Sequence, residues 1–80
     1  MKLTQGMALS CVVKAVDRAL TKYSADNVDV VVNEETGLVD IMYHSRNNSF
    51  PIETGIVGMG FIDKESLVKE LDNRNVGYCW

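Results

Sequence analysis

The residue types that most often do chemistry are few in this 80-residue chain, and their spacing is unfavourable for catalysis. His44 is the single histidine, and a catalytic triad would need a nucleophile and a carboxylate folded around it. Ser45 and Asp40 are the nearest candidates, but neighbours along one strand do not reach that geometry. Glu34 and Glu35 are adjacent, so their side chains diverge at a turn and make a poor acid–base pair. We therefore predict no catalytic residues and no enzyme activity.

Metal and redox sites are poorly supported by the sequence. One histidine and two cysteines, Cys11 and Cys79, provide no cluster with metal-ligand spacing, and no carboxylate pattern matches a calcium loop. We therefore expect no metal and no cofactor. The two thiols lie near opposite ends of the chain and are expected to be reduced and mostly buried, with one internal bridge as the alternative.

A glycine-rich stretch, Gly55 to Gly60, is the segment that could hold a small anion. Backbone amides there could meet a phosphate, and a helix is predicted directly after it. However, the spacing is not that of a dinucleotide-binding loop, no lysine occupies a P-loop position, and Asp63 at the helix start would repel phosphate. A bulged strand or close backbone packing is the favoured interpretation, with small-ligand binding kept as an alternative.

The elements that must position these residues begin with a helix predicted over residues 5–23, with Thr4 as its N-cap. An apolar face is joined there by a stripe of small residues, and together they cover roughly 200° of the helix. Such a helix needs cover on two sides. The stripe of small residues would allow close packing of another helix, either the second helix of this chain or a helix of a second identical subunit. The homodimer prediction assigns the interface to Ala8, Cys11, Ala15 and Ala19.

Two alternating, valine-rich segments predict a β-hairpin, and their pattern fixes its register. For the apolar residues of both strands to share one face, the numbers of paired residues must sum to an odd number. A four-residue loop, Glu34 to Gly37, closed by Asn33 and Leu38, gives that parity, with Gly37 in a left-handed conformation. The residues then facing the core are Val28, Val30, Val32, Val39, Ile41 and Tyr43.

The same register puts acidic and apolar residues together on the outer face of the hairpin. Apolar residues rimmed by charge are typical of a docking surface rather than of a purely solvated one. The predicted partner-binding residues are Asp26, Asp29, Glu34, Glu35, Asp40, Val31, Leu38 and Met42.

The remaining segments complete an α+β fold in a single domain of residues 1–80. After an extended stretch at residues 50–52, residues 55–62 predict a third strand loosened by its glycines. Residues 64–73 predict a short helix capped by Asp63. Residues 76–80 predict a last strand whose Tyr78 and Trp80 close the core, with an exposed docking tail as the alternative. The predicted order is α-β-β-β-α-β, a small antiparallel sheet packed on one long helix and one short helix.

The net charge of −3 is unevenly distributed along the chain. Residues 23–45 contain five acidic residues and no lysine or arginine, whereas residues 1–22 carry four basic residues and one acidic residue. Lys14, Arg18 and Lys22 form a row on the first helix. Three basic residues are a weak nucleic-acid signal, so we expect a solvated face and no direct contact with nucleic acid.

Nothing in the sequence predicts insertion in a membrane or export. No apolar run approaches the about 20 residues that span a bilayer. No apolar core of a secretory signal or small-residue cleavage site is visible. We therefore expect a cytoplasmic protein with no membrane partner.

The stretch from the first helix through the hairpin resembles part of the N-terminal, RNA-polymerase-binding domain of the bacterial transcription factor NusA. The matching residues are Val16-Asp17-Arg18-Ala19-Leu20 and Asn27-Val28-Asp29-Val30-Val31-Val32-Asn33-Glu34-Glu35-Thr36-Gly37. The resemblance covers less than half of the chain and implies a related fold and a partner in transcription. The chain departs from that family in lacking its RNA-binding domains, its first short helix and much of its charge pattern.

In size and charge the chain is also similar to small acidic host-takeover proteins of bacteriophages, some of which imitate the phosphate backbone of DNA. The expected function is a non-catalytic inhibitor or modulator that docks its acidic hairpin face on a basic, nucleic-acid-binding host protein. The alternatives are a NusA-like adaptor that binds RNA polymerase and a small-ligand-binding domain that uses residues 55–60.

Overall fold

A computed structural model describes residues 4–80, and the predicted α+β class and the order α-β-β-β-α-β are confirmed. The two helices are α1 (Gln5–Leu20) and α2 (Lys64–Arg74). The four strands are β1 (Val28–Val32), β2 (Val39–His44), β3 (Ser49–Glu53) and β4 (Gly77–Cys79). Single 3₁₀ turns at Ala25–Asn27 and Met59–Phe61 lie before β1 and α2.

Helix α1 begins where the sequence predicts and ends three residues early. Thr4 is the N-cap, and its hydroxyl oxygen accepts a hydrogen bond from the amide of Met7 at 3.1 Å. At the other end, the hydroxyl of Thr21 donates to the carbonyl of Arg18 at 2.6 Å. The Arg18 carbonyl also accepts from the Thr21 amide at 3.2 Å, an i to i−3 bond that tightens the last turn where the helix ends.

The sheet has the strand order β3-β2-β1-β4. Strands β1 and β2 are antiparallel with the predicted odd-sum register, in which Val28 lies opposite Tyr43 and Val32 opposite Val39. Gly37 closes the loop with φ of 72°, also as predicted. The expectation of a wholly antiparallel sheet is wrong in one strand, because β4 runs parallel to β1. Helix α2 carries the chain from β3 back to the starting end of the sheet, and such a crossover makes the next strand parallel.

The core lies between the two helices and one face of the sheet. Buried residues of β1 and β2 meet α1, which also packs on α2. The small-residue stripe of α1 is part of this contact, since Ala8, Ala15 and Ala19 are at most 2% exposed. These three alanines are therefore covered within the chain itself. The predicted dimer interface therefore lacks three of its four residues, and only Cys11 is exposed.

The third strand is misplaced in the sequence prediction. It occupies residues 49–53, where Pro51 is tolerated because β3 is an edge strand. Residues 55–62 run beside the hairpin but do not form a regular strand. Gly55 has φ of +63°, which turns the chain out of strand geometry. The amides of Ile56 and Met59 still donate to the carbonyls of Val39 and Gly37.

Candidate protein-docking surface

The sheet face turned away from the helices, called the outer face here, has a mixed acidic and apolar surface. On β1 and β2 it is formed by Asp29, Val31, Asp40 and Met42, all of them half-buried. Asp29 lies opposite Met42, and Val31 lies opposite Asp40. Each carboxylate therefore has an apolar side chain as its cross-strand neighbour, and the two carboxylates lie on the same side of the sheet, as the hairpin register predicted.

The two aspartates lean towards opposite edges of the sheet. The carboxylate of Asp40 accepts a hydrogen bond from the amide of Gly55 at 2.8 Å, so this residue also anchors the segment that follows β3. Asp29 lies against Gly77 of β4, where a Cβ would come within 2.6 Å of its Oδ1 atom. The negative charge is therefore spread across the width of the sheet.

The hairpin tip adds two exposed carboxylates, those of Glu34 and Glu35. The tip backbone is held by Asn33, whose side-chain oxygen accepts from the amides of Glu35 at 2.9 Å and Thr36 at 3.3 Å. Leu38 closes the tip, half-buried, and bridges to Gly58. The local bonds fix the loop while both glutamate side chains remain in solvent.

Asp26 is the predicted partner-binding residue that the fold separates from the others. It lies in the 3₁₀ turn before β1, exposed, at the end of the hairpin away from Glu34 and Glu35. A five-residue strand is roughly 17 Å long, so Asp26 and the tip face different neighbourhoods. A role of Asp26 in partner binding stays a prediction, and the residue lies apart from the tip. We define the acidic outer face as Asp29, Val31, Glu34, Glu35, Leu38, Asp40 and Met42.

The acids that are paired lie elsewhere, on the helical side of the molecule. Arg18 bonds Glu53 at 3.0 Å, and Arg74 bonds Asp17 at 2.7 Å and Glu70 at 2.9 Å. The hydrogen bond from Arg74 lowers the pKa of Asp17 below its ordinary value, and the same contact raises the pKa of Arg74. Within residues 4–80 no ion pair involves a carboxylate of the acidic outer face.

The residues considered for chemistry stay apart. His44 is exposed at the end of β2. Both cysteines are free thiols, as expected, but the expectation that they are mostly buried is wrong. Cys11 lies at an exposed position of α1, and Cys79 lies on the edge strand β4. Residues 4–80 contain no group of three or more histidine, cysteine or acidic side chains that could hold a metal ion.

Three of the six amides of the glycine-rich segment, residues 55–60, donate within the chain. The amide of Gly55 donates to Asp40, and those of Ile56 and Met59 donate to the hairpin. A phosphate cradle requires several unpaired amides that point at one ligand. These bonds favour the interpretation of close backbone packing over that of ligand binding.

The aromatic residues of β4 were assigned to the core by the sequence, and this is wrong. Tyr78 and Trp80 are 42% and 41% exposed, and their rings stack with centroids 4.6 Å apart. Tyr78 is the register partner of the buried Val30, so its ring lies on the helical side of the sheet, and Trp80 follows directly after β4. In the described part of the chain β4 is an edge strand, so no further strand lies beside them. Their i, i+2 spacing is the sequence feature that could have indicated a shared strand side.

A second aromatic cluster lies at the opposite edge of the sheet, on β2 and β3. Tyr43 stacks on Phe50 at 4.6 Å, and Tyr23 meets both rings at 5.1 and 6.0 Å. This contact joins β2, β3 and the turn after α1. The aromatic cluster holds the edge strand β3 in register with β2. It lies on the helical side of the sheet and thereby supports the strands that carry the outer face.

Comparisons with protein-family models, with curated proteins and with solved structures found no match to this chain. The resemblance to the NusA domain therefore stays a prediction, together with the partner that it implies. Among residues 4–80, no helix combines the length and the apolar character that crossing a membrane requires.

Proposed function

We propose that this chain is a non-catalytic, cytoplasmic binding module that docks its acidic outer face on a basic surface of a nucleic-acid-binding protein. In this role it acts as an inhibitor or modulator of the phage host-takeover type, and it competes with the phosphate backbone of DNA for the partner's basic surface. It needs no cofactor and no metal.

The observation that supports the proposal is the segregation of charge about the sheet. Asp29 and Asp40 share the open face, Glu34 and Glu35 extend it at the tip, and no described cation pairs with them. The paired arginines lie on the helical side. A carboxylate without an ion-pair partner in its own chain is available to attract an approaching basic surface.

The proposed mechanism combines electrostatic steering with an apolar anchor. The carboxylates accelerate encounter with a positively charged partner, an effect that salt screens over about 8 Å at physiological ionic strength. Val31, Met42 and Leu38 then lose water at the contact, which contributes the part of the affinity that salt does not remove.

A capture experiment tests the proposal. The immobilised chain is exposed to a bacterial lysate, and the captured proteins are identified by mass spectrometry with and without duplex DNA as competitor. We expect basic nucleic-acid-binding proteins that duplex DNA displaces. The variant Asp29→Asn/Asp40→Asn should capture them about tenfold less well, since two charges are lost from the contact. Asparagine at position 40 keeps an oxygen to accept the Gly55 amide.

The matched control removes the same amount of charge from the helical side. Glu65→Gln/Asp72→Asn changes two exposed acids of α2 that form no ion pair within residues 4–80. This variant should capture the same proteins as the unmodified chain. Equal capture by both double variants, or capture that duplex DNA does not reduce, would contradict docking through the outer face.

A NusA-like adaptor that binds RNA polymerase is the second candidate, and one observation favours it. The residues that carry the resemblance fold as a helix, α1, followed by the antiparallel hairpin β1–β2 with Gly37 at its turn. Under this proposal the captured proteins are polymerase subunits, and duplex DNA does not displace them from the hairpin.

A further inference from the structure

A surface groove lies where the hairpin tip meets the end of β4. It has a volume of about 390 Å³ and is lined by Val31, Val32, Glu34, Cys79 and Trp80. Val31 belongs to the acidic outer face, and its register partner across the sheet is Cys79. The groove therefore shares Val31 and Glu34 with the acidic outer face and extends from there to Val32, which lies on the helical side of the sheet.

The indole of Trp80 forms a rigid aromatic wall of this groove. One of its faces stacks on Tyr78 with the ring planes 22° apart, so the ring orientation is fixed before any ligand arrives. Its exposed fraction of 41% leaves area free on a side chain that usually buries most of its surface. Exposed tryptophans with a fixed orientation are frequent anchors in protein interfaces.

Glu34 supplies a charge beside this wall. Its side chain is exposed at the hairpin tip, and no cation within residues 4–80 pairs with it. The valines give the groove an apolar floor. A ligand that fits all three surfaces is flat, apolar on its faces and positively charged at its edge.

The guanidinium of arginine has that combination of properties. It stacks on aromatic faces, presents paired N–H donors to a carboxylate, and its aliphatic stem covers apolar surface. The ammonium of lysine is a strongly hydrated point charge and cannot stack as a plane. The groove therefore has a chemical reason to prefer one basic side chain to the other.

We propose that the groove binds an arginine side chain of the partner, with the guanidinium stacked on the exposed part of the Trp80 ring and hydrogen-bonded to the carboxylate of Glu34. This inference rests on the proposed function, because it assumes that a basic protein docks on the outer face. It adds the recognised residue and the position at which recognition occurs.

The sole tryptophan of the chain makes a direct measurement possible. Hexa-arginine, hexa-lysine and hexa-citrulline peptides are titrated while the emission of Trp80 is recorded. Hexa-arginine should change the emission in a saturable way and bind about two- to fivefold more tightly than hexa-lysine, the gain expected from an exposed cation–π contact. Hexa-citrulline, which has the same shape without charge, should leave the emission unchanged.

Three single variants separate binding in this groove from general attraction to an acidic protein. Glu34→Gln should weaken hexa-arginine binding about two- to fivefold, as expected for the loss of an exposed ion pair. Glu65→Gln on α2 should leave it unchanged. In calorimetry, Trp80→Leu should bind the arginine and lysine peptides equally. Equal binding of both peptides by the unmodified chain, or equal effects of the two glutamate variants, would overturn the proposal.

The two proposals fail in distinguishable ways. Asp29→Asn/Asp40→Asn leaves Glu34 and Trp80 in place, so its effect on capture tests the outer face alone. If that variant loses its partner while the unmodified chain binds the arginine and lysine peptides equally, only the arginine groove is overturned. If capture is unaffected, the proposed function is overturned whatever the peptides show.

Discussion

At the scale of single residues, the acidic outer face depends on a close approach between Asp29 and Gly77. These residues are register partners on β1 and β4, and the carboxylate of Asp29 occupies the space that a larger residue at position 77 would need. The glycine therefore lets one of the two sheet carboxylates lie across the neighbouring strand.

This contact predicts a specific cost for Gly77→Ala. The new Cβ would lie 2.6 Å from Oδ1 of Asp29, so the carboxylate must rotate away. We expect the free energy of unfolding to fall by about 1 kcal/mol, at the lower end of overpacking effects because a short polar side chain can move. Chemical denaturation followed by circular dichroism measures the change.

Gly60→Ala is the matched control, since a Cβ there meets no atom within 4 Å. It should change the free energy of unfolding by less than about 0.5 kcal/mol. Combining Gly77→Ala with Asp29→Ala should remove most of the cost. If Gly77→Ala is as mild as Gly60→Ala, the close approach of Asp29 to β4 is not present in solution.

Predictions for single residues succeed where they depend on neighbours along the chain, and they fail where they depend on contacts between distant segments. Strand alternation alone predicts that Asp29 and Asp40 share a face, because the side-chain period of a strand is two. The sequence contains no comparable information about Gly77, since its role depends on β4 pairing with β1 in parallel. Tyr78 and Trp80 were misassigned for the same reason: their burial depends on which edge β4 occupies.

At the scale of the secondary-structure elements, the hairpin is the best predicted part of the fold. Its register follows from the alternation of apolar residues together with a turn whose bonds are local, namely those of the Asn33 side chain and the left-handed Gly37. The β3 region is the worst predicted. Its apolar glycine-rich segment looks like a strand, but the positive φ of Gly55 and the 3₁₀ turn at Met59–Phe61 interrupt it.

The turn gives an element-scale prediction for Gly37→Ala. Gly37 has φ of +72° and open space where a Cβ would be, so the expected cost is conformational and not steric. A non-glycine residue in the left-handed region loses about 1 kcal/mol, and asparagine tolerates that region better than alanine does. We expect Gly37→Ala to lower the free energy of unfolding by about 1 kcal/mol and Gly37→Asn by roughly half of that. Equal thermal midpoints for the three proteins would contradict the turn conformation.

At the scale of the whole molecule, charge is separated between two layers. The helical layer holds the ion pairs, and Arg74 joins α1 to α2 by bonding Asp17 as well as Glu70 of its own helix. The outer face of the sheet presents carboxylates that form no ion pair within residues 4–80. The sequence predicts the acidic segment, but it does not predict that Arg18 of α1 pairs with Glu53 of β3 or that Asp17 of α1 pairs with Arg74 of α2.

The Arg74–Asp17 pair predicts a pH dependence of stability. The pKa of Asp17 is lower in the folded chain than in the unfolded chain, where it is about 4. Its stabilising contribution is therefore fully present above that value and is lost as the pH falls through the folded pKa. The side chain is half exposed, so solvent screening limits the contribution to less than about 1 kcal/mol.

Asp17→Asn isolates this effect. We expect the difference in unfolding free energy between the unmodified chain and Asp17→Asn to be largest near neutral pH and to shrink below about pH 4. Asp72→Asn, which changes an exposed aspartate without an ion pair in residues 4–80, should show a smaller difference at neutral pH. A difference for Asp17→Asn that stays constant down to pH 2 would contradict the assignment.

The measurement that bears most directly on the central claim is the affinity for a captured basic protein at two salt concentrations. The unmodified chain and Glu65→Gln/Asp72→Asn should bind with equal affinity and lose it in parallel as salt increases. Asp29→Asn/Asp40→Asn should bind about tenfold more weakly at low salt and depend less on salt, because it has fewer charges at the contact. Identical affinities and identical salt dependence for the two double variants would show that binding does not use the acidic outer face.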